Sequence, residues 1–295
     1  MSALLRFHLW PLRVLWVLLA LGASASATDA LDGRSTPVAV ALSVAGWTAW
    51  GATLVALLVP RTSSLTVVRV LAPAGAAAAI AAVAAGSETT VLDAATVLVA
   101  ALVVIAALAP WTTDALVDGS SYGPERRLAL RTPLALVLLA VLTWIVMFAG
   151  AVAAVLLLAT EQWAAGIAGL IVAAAVVWFG GRSIHQLSRR WLVLVPTGLV
   201  IHDPLVMPEP QLFLRQTMSR LGPAEESVGP EVVTEDLSAA ASGLIMSISL
   251  SEPVELLVRE GSRGTTLRPV DRVLFAPALP VELLAEGRKR RLPVA

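Results

Sequence analysis

The sequence has no cysteine, a single lysine and few charged residues for a chain of 295 residues. The absence of cysteine excludes disulfides, thiolate metal sites and cysteine nucleophiles. Charged side chains make up 14% of the chain, whereas soluble domains carry roughly 25%. Basic and acidic residues are equal in number, at 21 each. Because a nucleic-acid-binding surface needs a basic excess, we expect no nucleic-acid partner.

Sequence motifs of catalysis are also missing. The histidines His8, His185 and His202 are scattered, and none has the spacing of a metal-binding motif. The chain contains no phosphate-binding P-loop, no GxSxG nucleophile motif and no dinucleotide-binding GxGxxG motif. We therefore predict no catalytic residue, no metal and no cofactor, and a role other than that of an enzyme.

Long apolar runs dominate the first two thirds of the chain. A helix needs about 20 mostly apolar residues to cross the ~30 Å hydrocarbon core of a bilayer. Six segments meet this requirement, at 9–27, 37–59, 67–85, 91–109, 134–159 and 164–181. Prolines stand at the starts of two of these segments, where the missing N–H costs little, and just past the ends of two, of which 37–59 has both. The pattern predicts an all-α membrane domain over residues 1–188, with six transmembrane helices.

The last third of the chain has a different composition and period. Residues 189–295 carry 12 of the basic and 13 of the acidic side chains. Short runs typical of β-strands occur at 191–195, 199–201, 212–214, 244–250, 254–259, 265–268 and 273–275. A loop is predicted over 221–235, a short helix over 235–241 and a closing amphipathic helix over 281–291. Residues 189–295 are therefore predicted to form a small, mostly-β domain that is closed by a helix.

The distribution of arginine predicts the orientation in the membrane. With the N-terminus inside, the segments on that side hold Arg6, Arg61, Arg126, Arg127, Arg131, Arg182, Arg189 and Arg190. The opposite loops, at 28–36, 86–90 and 160–163, hold only one arginine, together with several carboxylates that include Glu88. This asymmetry follows the positive-inside rule. It predicts a multi-pass protein of the cell membrane with a cytoplasmic C-terminal domain.

The first apolar segment allows a second interpretation. Its basic start, apolar run and Ala25-Ser26-Ala27 resemble a signal peptide with a small-residue cleavage site. A cleaved segment would leave five helices, and a retained one six. The C-terminal domain is predicted to be cytoplasmic in both cases, because the arginines of the later loops do not change.

Two basic clusters are candidate docking sites for lipid or for a domain. Arg126, Arg127 and Arg131 lie in the long segment 111–133 between two predicted spans. They either hold the C-terminal domain or anionic headgroups, or serve only as a positive-inside anchor. The second cluster lies at the end of the closing helix and consists of Arg288, Lys289, Arg290 and Arg291. It either touches the anionic inner leaflet or is a solvated helix end.

Two stretches carry a family resemblance. The loop SSYGPERR at 120–127 and the stretch RRWLVLVPTGLVIHDP at 189–204 resemble an uncharacterised family of actinobacterial multi-pass integral membrane proteins. This resemblance covers nearly the whole chain and implies no activity. A hairpin directly after a membrane helix, followed by strands and a closing helix, resembles the bacterial PH-like domains. Those domains lack a catalytic motif, and neither resemblance implies functional residues.

These features favour a non-enzymatic scaffold or regulator whose cytoplasmic domain binds a partner protein or the membrane surface. A transporter or transporter subunit for an apolar or lipid-like molecule is the alternative. It is motivated by spans without central Asp, Glu, Lys or His, and by Trp47, Trp50 and Trp144, which either line a cavity or pack between helices. A membrane enzyme would have only Asp114, Asp118 and Glu125 to use. The sequence does not indicate an oligomeric state.

Overall fold

The chain divides into a helical unit and a unit rich in β-sheet. The computed structural model describes residues 8–86, 89–225, 231–261 and 264–295. Arg6, Glu88 and the part of the predicted loop at 226–230 lie outside the described residues. The helical unit contains the chain up to Leu116 and again Leu139–His185. The sheet-rich unit contains Val117–Leu138 and Gln186–Ala295, so the chain passes between the units three times.

The described residues contain eight helices. These are α1 Trp10–Leu31, α2 Thr36–Leu58, α3 Thr62–Ala85, α4 Val91–Leu108, α5 Pro110–Asp118, α6 Leu134–Ala159, α7 Trp163–Leu187 and α8 Pro280–Lys289. Six of them, namely α1 to α4, α6 and α7, are long and apolar enough to cross a membrane. The predicted number of such helices is therefore confirmed. Their bounds are close to the predicted ones, and the largest differences are an earlier start of α3 and a later end of α7.

Two tryptophans tie α1 to α2 through their indole N–H groups. Trp16 Nε1 donates to the carbonyl of Trp50 at 3.0 Å, and Trp50 Nε1 donates to the carbonyl of Trp16 at 3.2 Å. Trp16 is buried, and a Cβ on Gly75 of α3 would lie only 2.6 Å from its ring. Glycine at this position of α3 therefore leaves room for the indole. Small residues have this use at helix contacts in membranes.

A buried carboxylate joins the other end of α1 to α4. The helix α4 begins with a capping box, in which Thr90 and Asp93 each accept a hydrogen bond from the backbone N–H of the other. The second carboxylate oxygen of Asp93 accepts a hydrogen bond from Ser26 of α1 at 2.7 Å. Asp93 thus has a structural role at the N-terminus of α4, where the first backbone N–H groups have no acceptor within the helix.

Helices α6 and α7 pack against each other through small residues. A Cβ on Gly180 would lie 2.6 Å from the sulfur of Met147, and one on Gly166 would lie 2.7 Å from Leu158. Trp144 of α6 donates its indole N–H to the carbonyl of Val70 in α3 at 2.7 Å. The close approach of this helix pair therefore depends on glycine, as expected for packing without large side chains.

The sheet-rich unit contains two four-stranded sheets in the described residues. Its strands are β1 Arg126–Ala129, β2 Trp191–Val195, β3 Gly198–His202, β4 Gln211–Leu214, β5 Met218–Pro223, β6 Thr234–Asp236, β7 Met246–Glu260 and β8 Gly264–Phe275. The first sheet is antiparallel in the order β1-β2-β3-β4. The second has the order β5-β7-β8-β6, with β6 parallel to β8.

One core of apolar side chains lies between these strands. Alternate residues of β2 and β3 are fully buried, for example Leu192 and Leu194 on β2, and Phe213 of β4 belongs to the same cluster. The second sheet contributes Phe275, and helix α8 contributes Leu283. The alternation follows from the two-residue period of a strand, which sends successive side chains to opposite faces. The predicted mostly-β region closed by a helix is therefore present.

Several predicted elements differ from the observed ones. The predicted strands at 244–250 and 254–259 form one long strand, β7, with an irregular register between Ser249 and Val254. Strand β5 was predicted as loop or left unassigned. The predicted short helix at 235–241 is wrong: residues 234–236 form β6, and Ala239 and Ala240 have φ of 55° and 59°. Pairing with β8 and a left-handed turn here override the helix preference of alanine.

Candidate functional site

Strand β1 lies between two chain segments of the sheet-rich unit. One edge pairs with β2, with Ala129 opposite Trp191. At the other edge, Ala278 N–H donates to the carbonyl of Ala129 at 2.8 Å, and Arg131 N–H donates to the carbonyl of Ala276 at 2.8 Å. The segment 111–133 was predicted as a loop between two spans, but it contains most of α5 and this strand. The sheet-rich unit therefore includes the segment that connects α5 to α6.

Asp118 organises the turn that leads into β1. Its carboxylate forms an ion pair with Arg126 at 3.0 Å and accepts hydrogen bonds from the Arg127 backbone N–H at 2.9 Å and the Ser121 hydroxyl at 2.8 Å. Asp118 and the Arg126 side chain are both buried. A buried carboxylate is stable only when its charge is paired and its oxygens have donors. The charge of Asp118 is paired with Arg126, and all three of these contacts are to its Oδ1 atom.

The end of β1 and the start of β2 are joined by the side chains of Arg190 and Asp203 and by the backbone carbonyl of Arg131, and we call these three residues the arginine clamp. Arg190 makes a bidentate contact with Asp203, with N···O distances of 2.6 to 2.9 Å. Both side chains are almost fully buried, at 1% and 0% exposure. A further N–H of Arg190 donates to the carbonyl of Arg131 at 2.6 Å. The bidentate geometry holds the guanidinium in one orientation.

Arg131 bonds to the other side of the unit. Its Nε donates to the carbonyl of Pro277 at 3.1 Å, and its Nη1 donates to the carbonyl of Ser242 at 3.1 Å. The next residue, Gly243, has φ of +105°, and a Cβ at this position would lie 1.5 Å from Arg131 Nη1. Glycine at 243 is therefore required both by the backbone conformation and by the space that the guanidinium occupies.

We expect Gly243→Ala to destabilise the sheet-rich unit by about 2 kcal/mol, because the strain of a positive φ adds to the loss of the Arg131 hydrogen bond. The measurement is chemical denaturation of the purified full-length protein in micelles. Gly261→Ala is the matched control, since Gly261 also has a positive φ of +66° but no atom within 4 Å of a Cβ. Equal losses of stability in both variants would show that the contact with Arg131 contributes nothing to the cost of Gly243→Ala.

Arg127 has a different environment from the other two predicted docking arginines. Its guanidinium carbon lies 5.8 Å from the ring centroid of Trp191, and that ring stacks on His202 at 4.6 Å. His202 Nδ1 in turn lies 2.9 Å from the carbonyl of Arg189. Arg126, Arg127 and Arg131 therefore each have a contact within the sheet-rich unit.

The second predicted cluster contributes to an open cleft of about 460 Å³, which we call the basic cleft. Its lining residues are Pro124, Pro196, Arg215, Lys289, Arg290 and Arg291. They come from the turn before β1, the turn between β2 and β3, the turn after β4 and the end of α8. Four cations thus converge from two segments, and two prolines with restricted backbones form part of the wall.

One carboxylate lies beside this cleft. Glu286 forms ion pairs with Lys289, at 2.6 Å, and with Arg290. Burial raises the pKa of the Glu286 carboxyl, but the hydrogen bonds and charges of Lys289 and Arg290 outweigh it and hold that pKa below its usual range. Arg290 also donates to the carbonyl of Pro124 at 3.0 Å. Four cations beside one carboxylate leave an excess of positive charge that suits an anionic ligand.

The structure therefore separates the seven predicted docking residues. Lys289, Arg290 and Arg291 line the basic cleft, whereas Arg288 does not. The three arginines of the segment before α6 lie elsewhere in the same unit. Sequence reasoning missed Arg215, which follows β4 and reaches the cleft only through the fold of the first sheet. No local signal in the sequence distinguishes this arginine from others in turns.

Comparison with known proteins gives no further guidance, because no protein-family model, no curated protein and no solved structure matches the chain. Within the ranges that the structure describes, no group of three or more His, Asp or Glu side chains is arranged to hold a metal ion. The arrangement that stands out chemically is a set of cations around an open cleft. The geometry of the sheet-rich unit is thus the basis for a functional proposal.

Proposed function

We propose that the chain is a non-enzymatic regulator of the cell membrane. Its cytoplasmic sheet-rich unit binds a ligand or partner and transmits its occupancy to helices α6 and α7. The observation that carries this proposal is the position of β1, which belongs to the segment between α5 and α6 but pairs with β2 in the sheet-rich unit. A domain that is merely tethered would need one connection, whereas this unit is connected to the helical unit at three points.

Two observations support membrane insertion with the sheet-rich unit inside. Six helices have the length and the apolar composition needed to span a bilayer. The segments 126–131 and 182–190, which belong to the sheet-rich unit or lead into it, carry most of the arginines of the first 190 residues, as the positive-inside rule requires of cytoplasmic segments. Arg126, Arg131 and Arg190 also have contacts within that unit.

Short connections support the transmission of a signal. Strand β1 leads into α6 through residues 130–133, and α7 leads into β2 through residues 188–190. The arginine clamp lies at these connections and links their backbones, since Arg190 contacts the carbonyl of Arg131 and Leu130 N–H donates to the carbonyl of Arg190 at 3.1 Å. We therefore expect a change in the pairing of β1 and β2 to move the start of α6 and the end of α7.

The alternative of a transporter for lipid-like molecules has less support from the tryptophans that motivated it. The indole N–H groups of Trp50 and Trp144 donate to backbone carbonyls of neighbouring helices. Trp47 is 57% exposed and makes an edge contact with Trp50. These contacts favour packing between helices over the lining of a ligand cavity, and we keep the regulator as the proposal.

The orientation is tested with single cysteines, for which this cysteine-free chain needs no background substitutions. We expect Ser35→Cys and Thr160→Cys to react with a membrane-impermeant maleimide on intact cells. Tyr122→Cys, which replaces a highly exposed side chain, should react only after the membrane is permeabilised. Labelling of Tyr122→Cys on intact cells would contradict a cytoplasmic sheet-rich unit.

The coupling is tested by hydrogen–deuterium exchange of the full-length protein in nanodiscs. We expect Asp203→Asn, which weakens the arginine clamp, to speed exchange in β1 and β2 and also at the adjoining ends of α6 and α7. A flexible Gly-Ser insertion between Thr132 and Pro133 should remove the change in exchange at α6, while the change at α7 remains because residues 188–190 still join α7 to β2. The same insertion after Glu161, in the connection between α6 and α7, is the control. Unchanged exchange in both helices of Asp203→Asn would contradict the proposed coupling.

A further inference from the structure

Arg291 has a backbone conformation that usually belongs to glycine. Its φ is 57°, in the left-handed region, directly after helix α8. The N–H of Leu292 donates to the carbonyl of Gly287 at 3.0 Å, and the N–H of Arg291 donates to the carbonyl of Arg288 at 3.0 Å. This is the Schellman arrangement, in which the left-handed residue is most often glycine because a Cβ is unfavourable there.

The strained residue is also a lining residue of the basic cleft. Leu292 is buried in the core of the sheet-rich unit, so the end of α8 is fixed, while the Arg291 side chain is exposed. Residues held in unfavourable backbone regions concentrate at functional sites, where a side chain is needed in spite of the cost. Helix stability alone does not require arginine here, since Arg288 and Lys289 already place cations at the negative end of the helix dipole.

We propose that the basic cleft binds a phosphate group, with Arg215 and Arg291 as its principal cations. Both side chains are exposed, and the ion pairs that Glu286 makes are with Lys289 and Arg290. Arginine presents several N–H donors in a planar arrangement that matches the oxygens of a phosphate. The hydrogen bond from Arg290 to the carbonyl of Pro124 joins the end of α8 to the turn before β1, and both segments line the cleft.

A phosphate group has two sources in a cell, the headgroup of an anionic lipid and a soluble phosphate compound. The inference rests on the proposed function, to which it adds the chemical class of the ligand. Binding is measured at the cleft itself, through a fluorophore on Thr197→Cys. The side chain of Thr197 is exposed, and its carbonyl accepts a hydrogen bond from the Arg215 backbone N–H at 2.8 Å. Coupling is measured separately, as hydrogen–deuterium exchange in α6. Loss of the fluorescence change would contradict phosphate binding, whereas binding without a change of exchange in α6 would contradict the proposed regulation.

The experiment uses full-length protein in two kinds of nanodisc. In phosphatidylcholine alone, inorganic pyrophosphate is the soluble probe, with sodium chloride at equal ionic strength as the control. In the second kind, phosphatidylglycerol is mixed in and no soluble phosphate is added. A change in emission in the first arm identifies a soluble ligand, and a change in the second identifies a lipid headgroup. No change in either arm overturns the proposal.

Substitutions assign the binding to the cleft. At about 1 kcal/mol for each basic residue, we expect Arg291→Gly and Arg215→Gln each to weaken binding about fivefold. Because glycine relieves the strain at position 291, Arg291→Gly should unfold at a temperature no lower than that of the natural chain, which separates lost binding from lost folding. Arg288→Gln is the matched control, since it removes a charge from the same helix end outside the cleft, and it should change binding less than twofold. Equal effects of Arg288→Gln and Arg291→Gly would show general charge screening and would overturn the proposal.

Discussion

Replacing Asp203 with alanine is expected to destabilise the sheet-rich unit by about 3–5 kcal/mol, because it leaves the charge of Arg190 buried and without its counter-ion. Arg190 is 1% exposed, and three of its contacts to Asp203 are 2.9 Å or shorter. Asp203 also accepts the backbone N–H of Leu205 at 3.1 Å, so the loop after β3 loses an acceptor as well. The measurement is denaturation of full-length protein in micelles, followed by exchange of amides in the first sheet.

Two further variants separate the buried charge from the general loss of an ion pair. Arg268→Gln is the control, because Arg268 pairs with Glu235 at 3.3 Å with side chains 44% and 19% exposed. It should cost less than about 1 kcal/mol, as exposed pairs do. The double variant Arg190→Met with Asp203→Leu should recover most of the stability, since neither charge then remains buried. A double variant as unstable as Asp203→Ala would mean that shape, and not charge, determines the loss.

Replacing Gly198 with alanine is expected to detach strand β4 from the first sheet at a cost of about 3 kcal/mol, the upper end of the range for overpacking. A Cβ at this position would lie 2.0 Å from the backbone carbonyl oxygen of Phe213. Gly198 pairs with Leu214 in the ladder between β3 and β4, so the strands cannot separate locally without losing hydrogen bonds. The clash involves backbone on both sides, and no rotation of a side chain relieves it.

This substitution also tests the basic cleft, because β4 positions Arg215. We expect faster exchange of the amides of 211–214 in Gly198→Ala and weaker binding of the phosphate probe, while β1 and β2 keep their protection. Gly181→Ala is the control, since no atom lies within 4 Å of a Cβ at that position in α7. Unchanged exchange in β4 would contradict the close contact between Gly198 and Phe213.

The helices that can span a membrane were predictable because their signal is local. A run of about 20 apolar residues needs no knowledge of distant chain. The segment 134–159 has the same bounds in the prediction and in the structure, and 91–109 differs from α4 by one residue. The end of α7 was placed too early, at 181, because Arg182 and His185 interrupt the apolar run although the helix continues to Leu187.

Strand β1 was not predicted, because its partners are distant in sequence. The alternation of Arg127, Leu128, Ala129, Leu130 and Arg131 has the two-residue period of a strand, and both leucines are buried. Such a short run between two apolar helices is also compatible with a loop, and only pairing with β2 decides between them. The arginines were seen as a group, but their separate partners, such as Asp118 and the carbonyl of Pro277, depend on the tertiary fold.

The candidate cleft was predictable only in part. The run that ends in Arg291 was recognisable as a basic cluster, whereas Arg215 and the two prolines come from turns far apart in the chain. The left-handed conformation of Arg291 could not be read from the sequence, since glycine at this position would be the usual indication of a Schellman end. The feature on which the phosphate proposal most depends is therefore visible only in the backbone geometry.

The place of β1 in the chain also determines the order in which the protein can fold during synthesis. The ribosome completes β1 before it makes α6 and α7, and β2 follows only after both helices. Before β2 is synthesised, the edges of β1 and its leucines have no partner within the sheet. Pairing of β1 with β2 then requires closure of a loop that contains two long helices. The first sheet is therefore completed only after the last two apolar helices have been synthesised. A fragment that begins at β2 would keep the strands from β2 to β8 but would lack β1. It would therefore lose the chain that pairs with β2 on one side and contacts the residues after β8 on the other.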